Sequence, residues 1–244
     1  MLAGLIGFLN IKGPSRGYET LVKALGLVAL ASALGAAIGL SVFGKMRASL
    51  PIFGEIRFEL VIDIVSITML CLVAFLAWVI LTYALSYLRA EPEQGRFIGF
   101  LGLALASVSA FVQSANLIQL GLFWITTSFL LHSLLLFYGD RPAAKRAQRK
   151  KFVIARLGDV AVISAITLTY QQFGTFDIAE IGQAVQAAGF DGSVAWIVAL
   201  LGVAAIMKSA QFPTHTWIIE VMETPTPVSA LLHAGIVNAG GLLL

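Results

Sequence analysis

Seven stretches of this chain, 21–43, 60–88, 97–114, 116–138, 152–172, 193–219 and 226–244, stay apolar over the length a helix needs to cross a bilayer. A hydrocarbon layer about 30 Å thick takes about 20 residues at about 1.5 Å each. No water is available there, so every backbone N–H and C=O must be satisfied within its own segment, which selects helices. Composition agrees, with 59% hydrophobic and 12% charged residues and a mean hydropathy of +0.91. A soluble domain carries about 25% charged residues. The chain therefore reads as all-α, a polytopic transmembrane bundle of about seven helices. The second stretch is long enough to tilt, the sixth is interrupted by Pro213, and the seventh runs off the end of the chain.

The net charge of +3 is not that of a nucleic-acid surface, because seven of the 16 Lys and Arg residues fall between Arg141 and Arg156. A cluster of that kind beside a membrane span marks the cytoplasmic side. Counting from it places the N-terminus, with Lys12, Arg16 and Lys23, and loop 89–96 inside the cell inner (plasma) membrane. Loops 44–59 and 173–192 then lie outside, and the second holds Asp177, Glu180 and Asp191 with no Lys or Arg. Pro51 to Gly54, with the alternation over 56–60, suits a short hairpin. The chain divides into residues 1–96, the N-terminal helices and extracytoplasmic loop, and 97–244. Residues Met1 to Asn10 are apolar but have neither a basic flank nor a cleavage site, so no signal peptide is expected. Cys71 is the single cysteine and reads as a packing residue. There is no glycine-rich phosphate loop, metal-ligand spacing or nucleophile grouping, so no cofactor, metal or catalytic centre is expected.

Against this apolar background, the stretch from Lys208 to Gly241 holds groups that are costly in lipid. Lys208 lies 15 residues after Ser193, about 22 Å along a helix. Burial favours the neutral amine, so Lys208 is either a proton carrier or a lysine reaching back to the interface. Pro213 removes a helix hydrogen bond. The freed carbonyls are tolerated where they line a hydrated cavity, although a simple kink reads the same way. His233 can relay protons or bond a neighbouring helix, with Gly235, Gly240 and Gly241 allowing close approach. His132 is open to the same two readings. Arg156 and Asp159, three residues apart at the opening of the fifth stretch, can pair, either anchoring the interface or feeding protons inward. With His215 and Glu223, these residues are the candidates for a proton path.

Lys208-Ser-Ala-Gln-Phe-Pro213, His215-Thr-Trp217 and Met222-Glu223-Thr-Pro225-Thr-Pro227-Val-Ser-Ala-Leu-Leu-His233-Ala resemble the most distinctive stretch of the antiporter-like membrane subunits. These are the proton-pumping subunits of NADH:quinone oxidoreductase (complex I) and the Mrp-type sodium/proton antiporters. Phe152 to Asp159 is similar to a second family segment. The resemblance covers about residues 60 to 244 and implies the first half of an inverted-repeat fold with one discontinuous helix. It implies that Lys208 is the central lysine of a half-channel, His233 its relay, Pro213 the helix break, and Arg156 with Asp159 the inlet pair. By the same resemblance, Ile125 stands where pumping members carry a buried glutamate, and His132 on the same helix is expected to take part of its role. Family members are about twice this length, so the chain reads as a fragment or a split subunit, truncated within the motif. Phe123 to Tyr138, Arg149 to Phe152 and His233 to Gly241 look most like the Dab-type inorganic carbon transporter membrane subunits. That resemblance implies a cytoplasmic zinc partner similar to β-carbonic anhydrases, energised by protons or Na+. The alternative it leaves open is a subunit of a complex I-like oxidoreductase or an Mrp-type antiporter among other membrane subunits.

Overall fold

The computed structural model describes residues 1–9, 16–53, 56–138, 142–189, 191–219, 224–233 and 239–243. The order of elements is α1 (Leu2–Leu9), α2 (Arg16–Phe43), β1 (Met46–Phe53), β2 (Ile56–Ile62), α3 (Ile64–Tyr87), α4 (Gln94–Val112), α5 (Leu117–Leu135), α6 (Pro142–Phe173), α7 (Ile178–Ala188), α8 (Gly192–Lys208), α9 (Thr216–Ile219), α10 (Thr226–Leu231) and α11 (Ala239–Leu243). Five helices, α2 to α6, contain spans long and apolar enough to cross a membrane, and α8 is a shorter apolar helix. The chain is a mostly helical, multi-pass membrane protein.

Several boundaries differ from the sequence expectation for physical reasons. The second stretch starts as strand, because β2 runs to Ile62 in antiparallel register with β1, Arg47 opposite Val61. Asp63 then starts α3 with a capping box, its side chain accepting from Ser66 N at 2.9 Å while Ser66 Oγ accepts from Asp63 N at 2.8 Å. The stretch read as loop 173–192 contains α7, started by Asp177, whose carboxylate accepts from the amides of Ala179 and Glu180. The fifth helix begins at Pro142 rather than at 152, since proline suits a first turn and the Lys, Arg, Gln and Ala that follow are good helix formers. Arg156 and Asp159 therefore lie in mid-helix and do not open it. The expected last span is described only as α10 and α11, with 234–238 and 244 outside the described residues.

Leu85, Leu88, Phe97, Ile98, Leu101, Leu131 and Leu134 fill the space among α3, α4 and α5, joined by Leu231 and Leu232. A second cluster of Phe111, Trp124, Val162, Ala204 and Ala239 joins α4, α5, α6, α8 and α11. Backbones meet where α1 crosses α4: a β-carbon on Gly7 would stand 2.5 Å from Gly99 N, and one on Gly102 2.7 Å from Gly4 N. Outward, α6 presents Val153, Leu157, Val160 and Ile163 and α8 presents Trp196, Val203 and Ile206. Such apolar stripes suit lipid rather than water.

One end of the bundle is cross-tied by backbone. Val61 N donates to Gln113 O at 2.9 Å, Leu117 N to Phe176 O at 2.9 Å and Ile178 N to Ala115 O at 3.1 Å. Arg47 on β1 pairs with Glu59 at 2.6 Å and also with Asp177. Burial opposes the Asp177 carboxylate, but Arg47 and the amides of α7 outweigh it and hold it below the usual carboxylate range.

Candidate functional site

The site forms where α8 stops. Ala210 adopts a left-handed φ of 50°, and Gln211 N donates to Ile206 O at 3.1 Å. This closure turns the chain back over the last helical carbonyls. The helix thus ends at Lys208, five residues before Pro213. Pro213 acts downstream, keeping the residue before it out of helical geometry until α9 starts at Thr216. The break spans 209–215 and is not a kink within a continuous helix.

Lys208 points inward and is 9% exposed. Its Nζ donates to Trp124 O at 3.1 Å and to Ser128 Oγ at 3.1 Å, and lies 4.4 Å from the Trp124 ring centroid. Its place in the last turn of α8 sets a cation against the negative end of the helix. A second lysine, Lys151 on α6, is 5% exposed, and its Nζ donates to Ser128 O at 2.8 Å. Both amines line one cavity of ≈ 20 Å³ with Trp124, Leu131, Gly158 and Trp217. That volume, open to the centre of a water molecule, suits about one water.

Asp159 is 4% exposed, and its Oδ2 lies 2.7 Å from Arg156 Nη2. The guanidinium also covers the Phe129 ring at 4.2 Å and the Phe152 ring at 5.2 Å. Neither Asp159 oxygen has an aligned hydrogen bond among the described residues. The charge of Asp159 acts on both lysines.

The remaining candidates fall around this centre. His132 lies one turn along α5 from Ser128, its ring 2.7 Å from Gln148 Nε2 and 5.0 Å from the Phe152 ring centroid. Its hydrogen-bond partner is thus Gln148, while Lys208 bonds Trp124 and Ser128. Ile125 is an apolar neighbour of the cluster around Trp124. His215 sits within the break, stacked on Phe212 at 5.9 Å, with a buried Nδ1 that has no hydrogen-bond partner among the described residues. His233 follows α10 and is exposed, and among the described residues no hydrogen bond joins it to Lys208. Glu223 and Gly235 lie outside the described residues. Gly240 makes the expected close approach, against Ala205 of α8 and Ser209 just past its end, whereas Gly241 faces open space.

Sequence reasoning missed Lys151, Ser128 and Gln148. Lys151 is the last member of a basic run that signals topology, which hid it. With α6 extended back to Pro142, Lys151, Ile154, Ala155 and Gly158 fall on one face, and all four line the cavity.

Comparisons with known proteins agree with this architecture. The family model described as NADH:quinone oxidoreductase/Mrp antiporter, TM, matches residues 114–244. The model for the N-terminus of NADH-ubiquinone oxidoreductase (complex I) chain 5 matches residues 53–98. The probable inorganic carbon transporter subunit DabB of Hydrogenovibrio crunogenus is 40% identical over 181 residues, 73% of this chain and 35% of that protein. NADH-quinone oxidoreductase subunit L of Escherichia coli is 34% identical over 254 residues, 98% of this chain and 41% of that protein. The chain spans less than half the length of these relatives. The structure of the Mrp complex from Dietzia sp. superposes on 99% of this chain and 27% of the solved chain, with a TM-score of 0.81 at 24% identity. The archaeal membrane-bound sulfane sulfur reductase superposes on 98% of this chain and 49% of its own, with a TM-score of 0.86 at 16% identity. These two likenesses concern the fold.

Proposed function

We infer the role of this chain from its family: it belongs to the NADH:quinone oxidoreductase/Mrp antiporter transmembrane family. It is a membrane subunit that conducts protons, or Na+, to energise a partner. The observation that carries this reading is Lys208, an amine buried at a helix break and held by α5 beside a water-sized cavity. An ionisable group in that position is expected to serve transport. Lys208 takes and releases the proton. The Arg156–Asp159 pair sets the charge around it. His132, through Gln148, leads to one face of the bundle, with His215 in the break and His233 after α10 as further stations of the path.

Within that role we favour inorganic carbon uptake, with a cytoplasmic zinc subunit like a β-carbonic anhydrase as partner, in the cell inner membrane. The 40% identity to the probable carbon transporter subunit supports this, as does the resemblance of Phe123 to Tyr138 to Dab-type subunits. The second reading is a subunit of a complex I-like oxidoreductase or Mrp-type antiporter. It is favoured by alignment of subunit L over 98% of the chain, against 73% for the carbon transporter subunit.

The experiment is growth in ambient air of cells lacking carbonic anhydrase, expressing the full-length protein with its soluble partner. Rescue that an uncoupler removes supports gradient-driven carbon uptake. Stable insertion of both proteins without rescue moves the assignment to a respiratory or Mrp-type complex.

A further inference from the structure

Two buried lysine side chains meet on one serine, and helix architecture does not require the second. The Ser128 carbonyl lies within α5, where the amide four residues on is its ordinary partner. Lys151 therefore bonds a carbonyl that the helix already serves, using its second lone pair. An ammonium has three donors, and among the described residues Lys151 makes this one hydrogen bond. It lines the same cavity as Lys208.

Charge limits what the pair can hold. Around it α5 brings Ser128 and His132, α6 brings Arg156 and Asp159, α8 brings Lys208, and α9 brings Trp217. Asp159 is already paired with Arg156. Two protonated lysines would leave two uncompensated cations in an interior with room for about one water, which buried sites resist strongly. One protonated lysine leaves a single excess charge.

We propose that Lys151 is a second proton-holding amine, in series with Lys208 and sharing one excess proton with it across Ser128. This rests on the conduction reading above and extends it. The proton leaves one amine as a water in the shared cavity, or a direct approach of the two amines, delivers it to the other, so one N–H bond breaks as another forms. Lys151 also opens a way out. Gln148 lies one turn before it on α6 and meets His132 at 2.7 Å, and a cavity of ≈ 120 Å³ lined by Arg96, Phe100, His132 and Ser133 lies beside that histidine.

The test is proton flux into proteoliposomes holding the full chain, under an imposed potential and read by an entrapped pH dye. It is run beside NMR of ε-15N-labelled lysines. Lys151→Met and Lys151→Arg should each lower flux about tenfold or more, and Lys208→Met should do the same. In Lys208→Met, the Lys151 signal should move to the ammonium position. Wild-type flux in Lys151→Arg beside an inactive Lys208→Met overturns the proposal and leaves conduction standing, since a fixed charge then suffices. Wild-type flux in Lys208→Met overturns the conduction reading instead. In that case, a Lys151 signal unmoved by Lys208→Met overturns sharing as well, and a moved one upholds it. Should Lys151→Met fail to insert, Lys151→Arg and the NMR comparison decide.

Discussion

Lys208 directs its ammonium at two acceptors on α5, and its contribution is chemical rather than architectural. Lys208→Ala should abolish coupled transport while membrane insertion, read by protease protection, stays normal. Full transport in that variant would end the half-channel reading. Asp159 is different, because it compensates Arg156 inside the bundle. Asp159→Asn should strand that guanidinium and destabilise the protein by about 3 kcal/mol, visible as a lower melting temperature in detergent. Adding Arg156→Gln should restore part of it. Lys208 and the Arg156–Asp159 pair were legible in the sequence because charge stands out against apolar neighbours. Lys151 was not, because its neighbours are also basic. The partner of His132 was not either, since Gln148 carries no charge to betray it.

Helix starts are written in short side chains. Asp63 caps α3, Asp177 caps α7 and Asp191 caps α8. Burial works against the Asp63 carboxylate, but hydrogen bonds from Ser66 and the nearby Lys45 outweigh it and hold it below its ordinary value of 3.8. A carboxylate held low adds stability above its unfolded value and loses it as pH falls through the folded one. The cap should therefore contribute about 1 kcal/mol at neutral pH and fade below about pH 4. Melting curves of the parent and Asp63→Ala should differ at neutral pH and converge in acid. Curves separated equally at both would remove the carboxylate from the cap. The α8 terminus was harder to read. Proline pointed to position 213, whereas the stop comes from Ala210 in a left-handed conformation, which no residue type there announces.

At the scale of the molecule, the hydropathy pattern determined most of the fold, because lipid leaves so few alternatives. The hairpin was readable from its alternation, but its union with the 113–117 turn and residues 176–178 depends on contacts distant in sequence. The basic run and the hairpin end should face opposite sides of the membrane. A cysteine at Ser49 should react with an impermeant maleimide in intact cells, and one at Lys145 only after the membrane is opened, with Cys71 replaced. The reverse labelling would invert the orientation.

The cross-tied end also has a mechanical meaning. Gln172 at the close of α6 donates to Asp191 at the start of α8 at 3.2 Å, on the side where the strands and turns are laced together. A rod pinned at one end turns about the pin, and its far tip travels furthest. Lys208 is that tip. A rotation of roughly 5° about Asp191 would carry it roughly 2 Å over the length of α8, which is more than a hydrogen bond survives. What braces α8 against that swing is packing at the same tip: Ala204 and Ala205 are buried, and Gly240 of α11 comes close enough to Ala205 to leave no room for a side chain. Spin-label distances from the Lys208 end of α8 to α5 should broaden in Gly240→Ala, where the brace is wedged away.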